Sequence, residues 1–338
     1  MSLERASAAV AGAGDIDKAA LGYHCSRPSA AIPPSAKQGF IELAKQFVKK
    51  YRTKRAFKWL RKHLIPAGVR ATRVRRKWSR KDRHDWPPAG AEPAAGFGQY
   101  EYSYLSQNGE DGIIRFVFSE IGFASRRFVE FGFGATQCNS LRLILRERFQ
   151  GLLMDGSADN CDFFNRAARK TGLAGVEAYC TFLTRETLNQ VILDHGISGD
   201  IDFLSLDVDG NDYWLWEVLD CISPRLACIE YNAGIGPELS WSVPYDPAFE
   251  RFAKHPSGFF HGASLKALES LGKRKGYCLK GCDSTGTNAF FLREDIAAPV
   301  LPTLTAAEAY RPHKNWLGRG FSEAEQLEIM KSMPYVEV

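Results

Sequence analysis

The stretch RRFVEFGFGATQCNS, which runs from Arg126 to Ser140, joins a short apolar segment to two closely spaced glycines. The aromatic and β-branched residues of RFVEF predict a strand. Gly132 and Gly134 predict a turn at which the backbone can approach a ligand closely. A dinucleotide-binding turn has the pattern G-x-G-x-x-G, and Gln137 stands in place of its third glycine. The stretch therefore predicts the first strand and turn of an α/β sheet and disfavours a nicotinamide cofactor.

Further strand-like runs alternate with helical stretches, which is the pattern of a parallel sheet. The predicted strands cover residues 127–131, 151–155, 178–183, 201–208 and 225–231, and a helix is predicted over 187–194. Two last strands, 276–280 and 289–293, are separated by a segment too short for a crossover helix and must form a hairpin. The fold class predicted is α/β, with a mainly parallel seven-stranded sheet that ends in an antiparallel hairpin.

The charge of the chain is unevenly distributed. The net charge is +5, but residues 37–85 contain 18 Lys and Arg against three acids. Apolar residues recur at helical spacing in this window, which predicts a basic amphipathic helical extension. Such an extension can contact an anionic membrane or a phosphate backbone, or pack on the main domain and leave its charges in water. Residues 1–36 are predicted to be disordered, 86–98 to be a linker, and 99–338 to form the main domain.

The composition is that of a globular protein. With 338 residues, 45% of them hydrophobic, the chain can bury a sizeable core. No apolar run approaches the roughly 20 residues needed to span a bilayer, and Glu4 is out of place in a secretory signal. The eight cysteines are scattered without a C-x-x-C pair, which favours reduced thiols. We therefore expect a cytoplasmic protein, with peripheral contact at the inner face of the membrane through residues 37–85; the oligomeric state is not indicated.

Several motifs together resemble one enzyme family. They are SQNGEDGII at 106–114, FVEFG at 128–132, SLDVDGNDYWLW at 205–216, IEYN at 229–232, HGASLKAL at 261–268 and GYCLKGCDSTGTNAFF at 276–291. The region of roughly residues 100–295 is similar to the FkbM-type methyltransferases, which have the class I Rossmann-like fold. The resemblance implies an S-adenosylmethionine cofactor and methylation of a hydroxyl group, often on a sugar of a glycan, polysaccharide or glycolipid.

The cofactor-binding residues are predicted along the carboxyl edge of the sheet. Asp155 ends the second strand, where a carboxylate can accept the hydroxyl hydrogens of a ribose. The resemblance implies that Glu130 lies near the amino-acid end of the cofactor and that Ser106 and Gln107 bind that end. The full predicted set is Ser106, Gln107, Glu130, Gly132, Gly134, Asp155, Gly156 and Asp207.

The predicted catalytic residues follow the fourth and fifth strands. A sugar hydroxyl needs a proton acceptor, and carboxylate and imidazole groups can serve near neutral pH. Asp209 is the first choice for this base, and the full set is Asp209, Asp207, Glu230, Asn232 and His261. Oxygen ligands from Asp207, Asp209 and Glu230 are also compatible with Mg²⁺, although carboxylates that orient substrate hydroxyls explain the same cluster.

The sequence leaves three other functions open. A nucleic-acid methyltransferase would use the basic extension, but no N-P-P-Y or D-P-P-Y tetrapeptide follows the fourth strand, where DVDG stands. A non-catalytic adaptor would bind membranes or polyanions through the extension and use the sheet as a scaffold. A nicotinamide oxidoreductase ranks last, because the third glycine is missing.

Overall fold

A computed structural model describes residues 96–338 and, separately, Trp78. The predictions for residues 1–36 and 37–85, and most of the predicted linker at 86–98, lie outside these residues. Within the described part of the chain, no helix has the length and apolar character required to cross a membrane. The first element of this region is a short 3-10 helix at Phe97–Tyr100.

Nine strands and ten α-helices make up the described region. The strands are β1 (Arg127–Phe131), β2 (Gln150–Asp155), β3 (Val176–Cys180), β4 (Gly199–Leu206), β5 (Ile222–Glu230), β6 (Trp241–Ser242), β7 (Tyr277–Cys282), β8 (Asn288–Arg293) and β9 (Val336–Glu337). The helices are α1 (Glu110–Ile121), α2 (Leu141–Glu147), α3 (Ala158–Thr171), α4 (Leu188–Asp194), α5 (Asp212–Val218), α6 (Arg251–Lys254), α7 (Leu265–Arg274), α8 (Ala306–Ala309), α9 (Lys314–Leu317) and α10 (Glu323–Lys331).

Seven strands form one sheet in the order β3-β2-β1-β4-β5-β8-β7. Strands β1 to β5 pair in parallel, while β8 runs antiparallel to both β5 and β7. The prediction of a mainly parallel sheet that ends in an antiparallel hairpin is therefore confirmed. The chain moves outward in opposite directions from β1 and from β4, so a topological switch point lies between these two strands.

Side chains of the sheet alternate between two apolar layers. Phe128 of β1 packs with Phe203 and the inner faces of helices α1, α2 and α3. Val129, the next residue, packs on the other side with Leu204 and helices α4, α5 and α7. The alternation follows from the two-residue period of a strand. Burial on both faces explains why these strands are nearly continuous apolar runs.

Asp202 fixes the amino end of the sheet beside β1. Its side chain is fully buried and accepts backbone N–H groups from Ala124, Ser125 and Arg126 at 2.7–3.0 Å. The same carboxylate forms an ion pair with Arg225 of β5 at 3.0 Å. One buried charge therefore holds the entry to β1 and ties β4 to β5.

Replacing Asp202 is expected to destabilise the fold. Asp202→Ala leaves the Arg225 charge and three backbone donors without their partner, which costs about 3–5 kcal/mol of unfolding free energy. Asp200→Ala is the matched control, because the Asp200 side chain is 72% exposed in its ion pair with Arg293. An exposed pair contributes about 0–1 kcal/mol. Urea unfolding of both variants measures the difference; equal losses would contradict the role of Asp202.

Candidate functional site

The turn after β1 meets the end of β4 at the carboxyl edge of the sheet. Gly132 has a φ of 72°, and a Cβ atom on it would lie 1.6 Å from the carbonyl oxygen of Asp207. Backbone hydrogen bonds hold this contact from both sides, from Gly132 N–H to Met154 and from Asp207 N–H to Phe131. Only glycine fits this position, both in space and in backbone conformation. The predicted cofactor turn and the predicted carboxylate cluster are therefore adjacent.

Glu130 binds the backbone of the segment that follows the turn. Its side chain is buried, and its two carboxylate oxygens accept the backbone N–H groups of Asn139 at 2.9 Å and Ser140 at 2.8 Å. Burial raises the pKa of this carboxyl above its usual value. The resemblance placed Glu130 beside the cofactor; in the structure its contacts are with the segment that leads into α2.

Asn160 of α3 is a site residue that sequence analysis missed. Its side-chain oxygen accepts the N–H of Ala135 at 3.0 Å, and its amide donates to the carbonyl of Phe133. These two bonds lie on either side of Gly134, whose carbonyl accepts the N–H of Gln137 at 2.8 Å. A lone asparagine on a helix carries no sequence signal for this role, because the contact depends on how α3 packs against the turn.

Ser106 and Gln107 lie on the segment before α1 and have different surroundings. Ser106 is buried, and its hydroxyl accepts the N–H of Asp111 at 3.0 Å. Asp111 in turn accepts the N–H groups of Tyr104, Leu105 and Ser106. Gln107 is exposed. Since the carbonyl of Ser106 also accepts the side-chain amide of Gln137, this segment is fixed against the glycine turn.

Asp155 lies at the carboxyl end of β2, as predicted. One carboxylate oxygen accepts the N–H of Ser157 at 2.8 Å, and partial burial raises the pKa of the carboxyl. Gly156 is exposed, and a Cβ atom on it would lie 2.9 Å from the ring of Phe182. Phe182 is 75% exposed, which is unusual for a large aromatic side chain. A carboxylate and a free aromatic face thus stand side by side.

Asp207 and Glu230 follow neighbouring strands and meet at the same edge. Their carboxyl groups lie close enough for each to affect the pKa of the other. Burial, followed by the negative charge of Glu230, raises the pKa of Asp207 well above its usual range. Burial, followed by the charge of Asp209, raises the pKa of Glu230 from 4.5 to about 8, although the Arg251 guanidinium opposes this rise. The pair therefore binds protons near neutral pH.

Asp209 projects from the loop between β4 and α5. Its φ of 59° lies in the left-handed region, which aspartate tolerates better than most residues. Its carboxylate is 2.5 Å from the guanidinium of Arg251, which is 3.9 Å from Glu230. Sequence analysis missed Arg251, since it is 42 positions from Asp209 along the chain. Asp212, in contrast, is buried and accepts the N–H groups of Val208 and Gly210.

Asn232 and His261 are both buried beside the C-terminal segment. The Asn232 amide donates to the carbonyls of Phe259 and His261 and to the Tyr335 hydroxyl, and its oxygen accepts the N–H of Gly234. Because no polar atom is left for a substrate, we assign Asn232 a structural role. The His261 ring lies 3.7 Å from the Glu230 carboxylate. Burial and the charge of Arg251 lower the pKa of His261 well below its usual value, so its imidazole is neutral at pH 7.

The predicted magnesium site is not supported. The three groups that come together are Asp209, Glu230 and His261, whose ligand atoms lie within 4.8 Å of one another. An imidazole is a poor ligand for Mg²⁺, which prefers oxygen atoms in an octahedral arrangement. Asp207 is not one of these three groups, and the Arg251 guanidinium already neutralises Asp209. The predicted trio of Asp207, Asp209 and Glu230 is therefore not a free set of ligands.

Solved structures similar to the chain include three with low sequence identity. The N-terminal domain of EvdMO1 with SAH bound is 12% identical over 68% of this chain and 95% of that chain, with a TM-score of 0.38. An O-methyltransferase from Bacillus cereus in complex with SAH is 14% identical, over 70% and 94%, with a TM-score of 0.37. A putative O-methyltransferase from Klebsiella pneumoniae is 11% identical, over 74% and 94%, with a TM-score of 0.35.

No protein-family model and no curated protein matches the sequence. The FkbM-type resemblance therefore stays a prediction. These structural likenesses are weak and carry no information on the function of this chain.

Replacing Gly132 is expected to move the turn after β1 away from the end of β4 and to destabilise the fold. Gly132→Ala combines a strained φ with a clash against Asp207, so we expect a loss of well over about 1 kcal/mol in unfolding free energy. Gly122→Ala is the matched control, because Gly122 has a similar φ of 64° but no atom within 4 Å of the added Cβ. Urea unfolding compares the two variants. If both lost the same stability, the contact with Asp207 would not be a constraint.

The raised pKa of Glu230 predicts how stability depends on pH. Between about pH 4.5 and 8 the folded protein keeps a proton that the unfolded chain releases, so unfolding free energy falls as pH rises. Glu230→Gln cannot titrate and should lose less stability over the same range. Urea unfolding at pH 5.5 and 8.5 tests this. Parallel pH dependence in the two proteins would show that Glu230 has an ordinary pKa.

Proposed function

We propose that the chain is an S-adenosylmethionine-dependent O-methyltransferase that acts on a hydroxyl of a saccharide, in a glycan, polysaccharide or glycolipid. One observation carries the proposal. Two groups of residues lie at the same edge of the sheet, with the Gly132 turn between them. One is Asp155 with the neighbouring ring of Phe182, and the other is the proton-binding pair of Asp207 and Glu230. Ligands of such sheets bind at this edge, at the switch point between β1 and β4.

The features around Asp155 suit an adenosine group. A carboxylate at the end of the second strand can accept hydrogen bonds from both ribose hydroxyls. Phe182, beside it, presents an exposed ring face on which a base can stack, an interaction worth about 1–3 kcal/mol. The turn from Gly132 to Gln137 lies beside them; Asn160 bonds to the turn, and Glu130 fixes the residues that follow it. A rigid turn positions a ligand without paying for its own ordering.

The carboxyl pair of Asp207 and Glu230 is suited to the substrate whose hydroxyl group accepts the methyl group. S-adenosylmethionine, when bound, supplies a methyl group activated by a sulfonium. An attacking hydroxyl must lose its proton as the new carbon–oxygen bond forms, and the sulfur leaves with the electron pair of the broken bond. We assign Glu230 as the general base that accepts this proton, because its raised pKa lies near the pH at which a general base is most effective. Glu230 replaces Asp209 as the first choice, because Asp209 is paired with Arg251.

A neutral, hydroxyl-rich acceptor fits the charges around this pair. Asp207 and Asp209 offer carboxylate oxygens that accept hydrogen bonds from hydroxyl groups. Arg251, the cation of this cluster, is already paired with Asp209 and is therefore not free to bind an anionic acceptor. These two considerations favour a sugar hydroxyl. The binding of residues 37–85 to an anionic membrane, the resulting position at its inner face and the cytoplasmic location remain part of the proposal.

Isothermal titration with S-adenosylhomocysteine tests the cofactor assignment. We expect micromolar affinity for the unmodified protein and a loss of about 10- to 100-fold in Asp155→Ala, since hydrogen bonds to a charged group contribute about 1.5–3 kcal/mol. Asp162→Ala is the control, because Asp162 lies on α3, the helix that follows Asp155, and is exposed in its ion pair with Arg166. Its affinity should equal that of the unmodified protein.

NAD titrated under the same conditions separates the rival functions. Binding of NAD in place of the sulfur ligand would contradict the methyltransferase proposal and favour an oxidoreductase. Binding of neither ligand would favour a scaffold whose function resides in residues 37–85. Once the cofactor binds, a screen of neutral saccharides for S-adenosylhomocysteine release identifies the acceptor.

A further inference from the structure

Arg251 places a positive charge inside the carboxylate cluster. Its guanidinium lies 2.5 Å from the carboxylate of Asp209 and 3.9 Å from that of Glu230. On the other side, its Nε donates to the carbonyl of Gly258 at 2.7 Å. The side chain is only 15% exposed. It is therefore anchored between a backbone carbonyl and two acids rather than extended into water.

The groups around Arg251 have the composition of a metal-ligand set. Asp209, Glu230 and His261 contribute ligand atoms within 4.8 Å of one another. Metal ions bind such atoms at about 2.0–2.6 Å, so atoms this close can surround a single ion. One oxygen of Glu230 and both ring nitrogens of His261 are buried and have no hydrogen-bond partner among the described residues. Buried polar groups of this kind ordinarily have partners.

We propose that Arg251 is the resident cation of this cluster, so that methyl transfer by this chain requires no divalent metal, and that the cluster is a latent metal site which Arg251 blocks. The guanidinium and a divalent ion would compete for the same oxygens of Asp209 and Glu230. Two cations a few ångströms apart repel each other strongly in a partly buried site. Binding a metal would therefore require Arg251 to leave both its acids and the Gly258 carbonyl.

The assignment also gives Arg251 a positioning role, and this part rests on the proposed function. A planar guanidinium holds a carboxylate in a defined orientation. By fixing Asp209 in its left-handed conformation, Arg251 sets where the acceptor hydroxyl can bind relative to Glu230. A metal ion at the same place would perform this orientation by direct coordination. The guanidinium performs it through hydrogen bonds instead.

Binding of Mn²⁺ to the purified full-length protein tests the blocked site, with free Mn²⁺ measured by electron paramagnetic resonance and no cofactor present. Mn²⁺ is the probe because it suits carboxylate ligands and avoids the exposed thiol of Cys180. The unmodified protein should not bind it at this cluster. Arg251→Ala should bind at least about tenfold more tightly, since a cation a few ångströms from the ion is removed.

Three variants test whether Mn²⁺ binding depends on the charge of Arg251 and on His261. Arg251→Lys keeps a positive charge and should bind Mn²⁺ as weakly as the unmodified protein. The double variant Arg251→Ala with His261→Ala should lose the binding gained by the single change. Arg185→Ala is the matched control, because it frees only the single carboxylate of Glu217. Circular dichroism confirms that each variant is folded, and Arg251→Gln replaces Arg251→Ala if the latter is not.

Two results would overturn the proposal. One is micromolar Mn²⁺ binding by the unmodified protein that is lost in His261→Ala, which would make the cluster a true metal site. The other is a folded Arg251→Ala protein that gains no binding. Neither result depends on S-adenosylmethionine, so a failure of the proposed function is distinguishable from a failure here. With an acceptor in hand, chelation by EDTA should leave the rate of the unmodified enzyme unchanged.

Discussion

The contact between Gly132 and the carbonyl of Asp207 is the constraint on which the site depends. Because Gly132 has no side chain, the ends of β1 and β4 approach more closely than any other residue would permit. These two strands flank the switch point of the sheet, with β2 and β3 on one side of it and β5 on the other. The contact therefore sets the distance between the proposed cofactor and acceptor regions.

Buried carboxylates that bind backbone N–H groups hold the surrounding loops in place. Glu130, Asp111, Asp202 and Asp212 each accept two or more such hydrogen bonds. Burying a charge is costly, and several hydrogen bonds to the charged form offset part of that cost. The acids of the sheet and its loops thus divide into two groups. Those engaged with backbone shape the loops, while Asp207, Asp209 and Glu230 interact with one another and with Arg251 and remain suited to chemistry.

Sequence patterns predicted the sheet well because the strands are defined by local properties. β1 was predicted at its observed bounds, and the hairpin of β7 and β8 followed from the shortness of its connection. The third strand was displaced, since β3 ends at Cys180, and Phe182, which the pattern counted as a strand residue, is exposed in the loop beyond it. An exposed aromatic residue and a buried one look alike in a single sequence.

The roles of individual polar residues could not be predicted from the sequence, because these roles depend on contacts between distant segments. Asn232 was interpreted as catalytic from its place after β5, yet its side chain bonds to the loop of Phe259 and His261 and to Tyr335, 103 positions away. Arg251 belongs to a four-residue helix with no motif of its own. Its position between Asp209 and Glu230 arises only when the loop after β6 folds back over the sheet edge.

The amino and carboxyl edges of the sheet differ in how well their buried polar groups are paired. At the amino edge, Asp202 forms an ion pair with Arg225 and also accepts three backbone N–H groups, and such an arrangement favours stability. At the carboxyl edge, burial raises the pKa of both Asp207 and Glu230, and the buried nitrogens of His261 lack hydrogen-bond partners among the described residues. Such an edge is destabilising by itself. It persists because the parallel core beneath it is buried on both faces, and the unfavourable interactions it retains are those that a bound substrate can relieve.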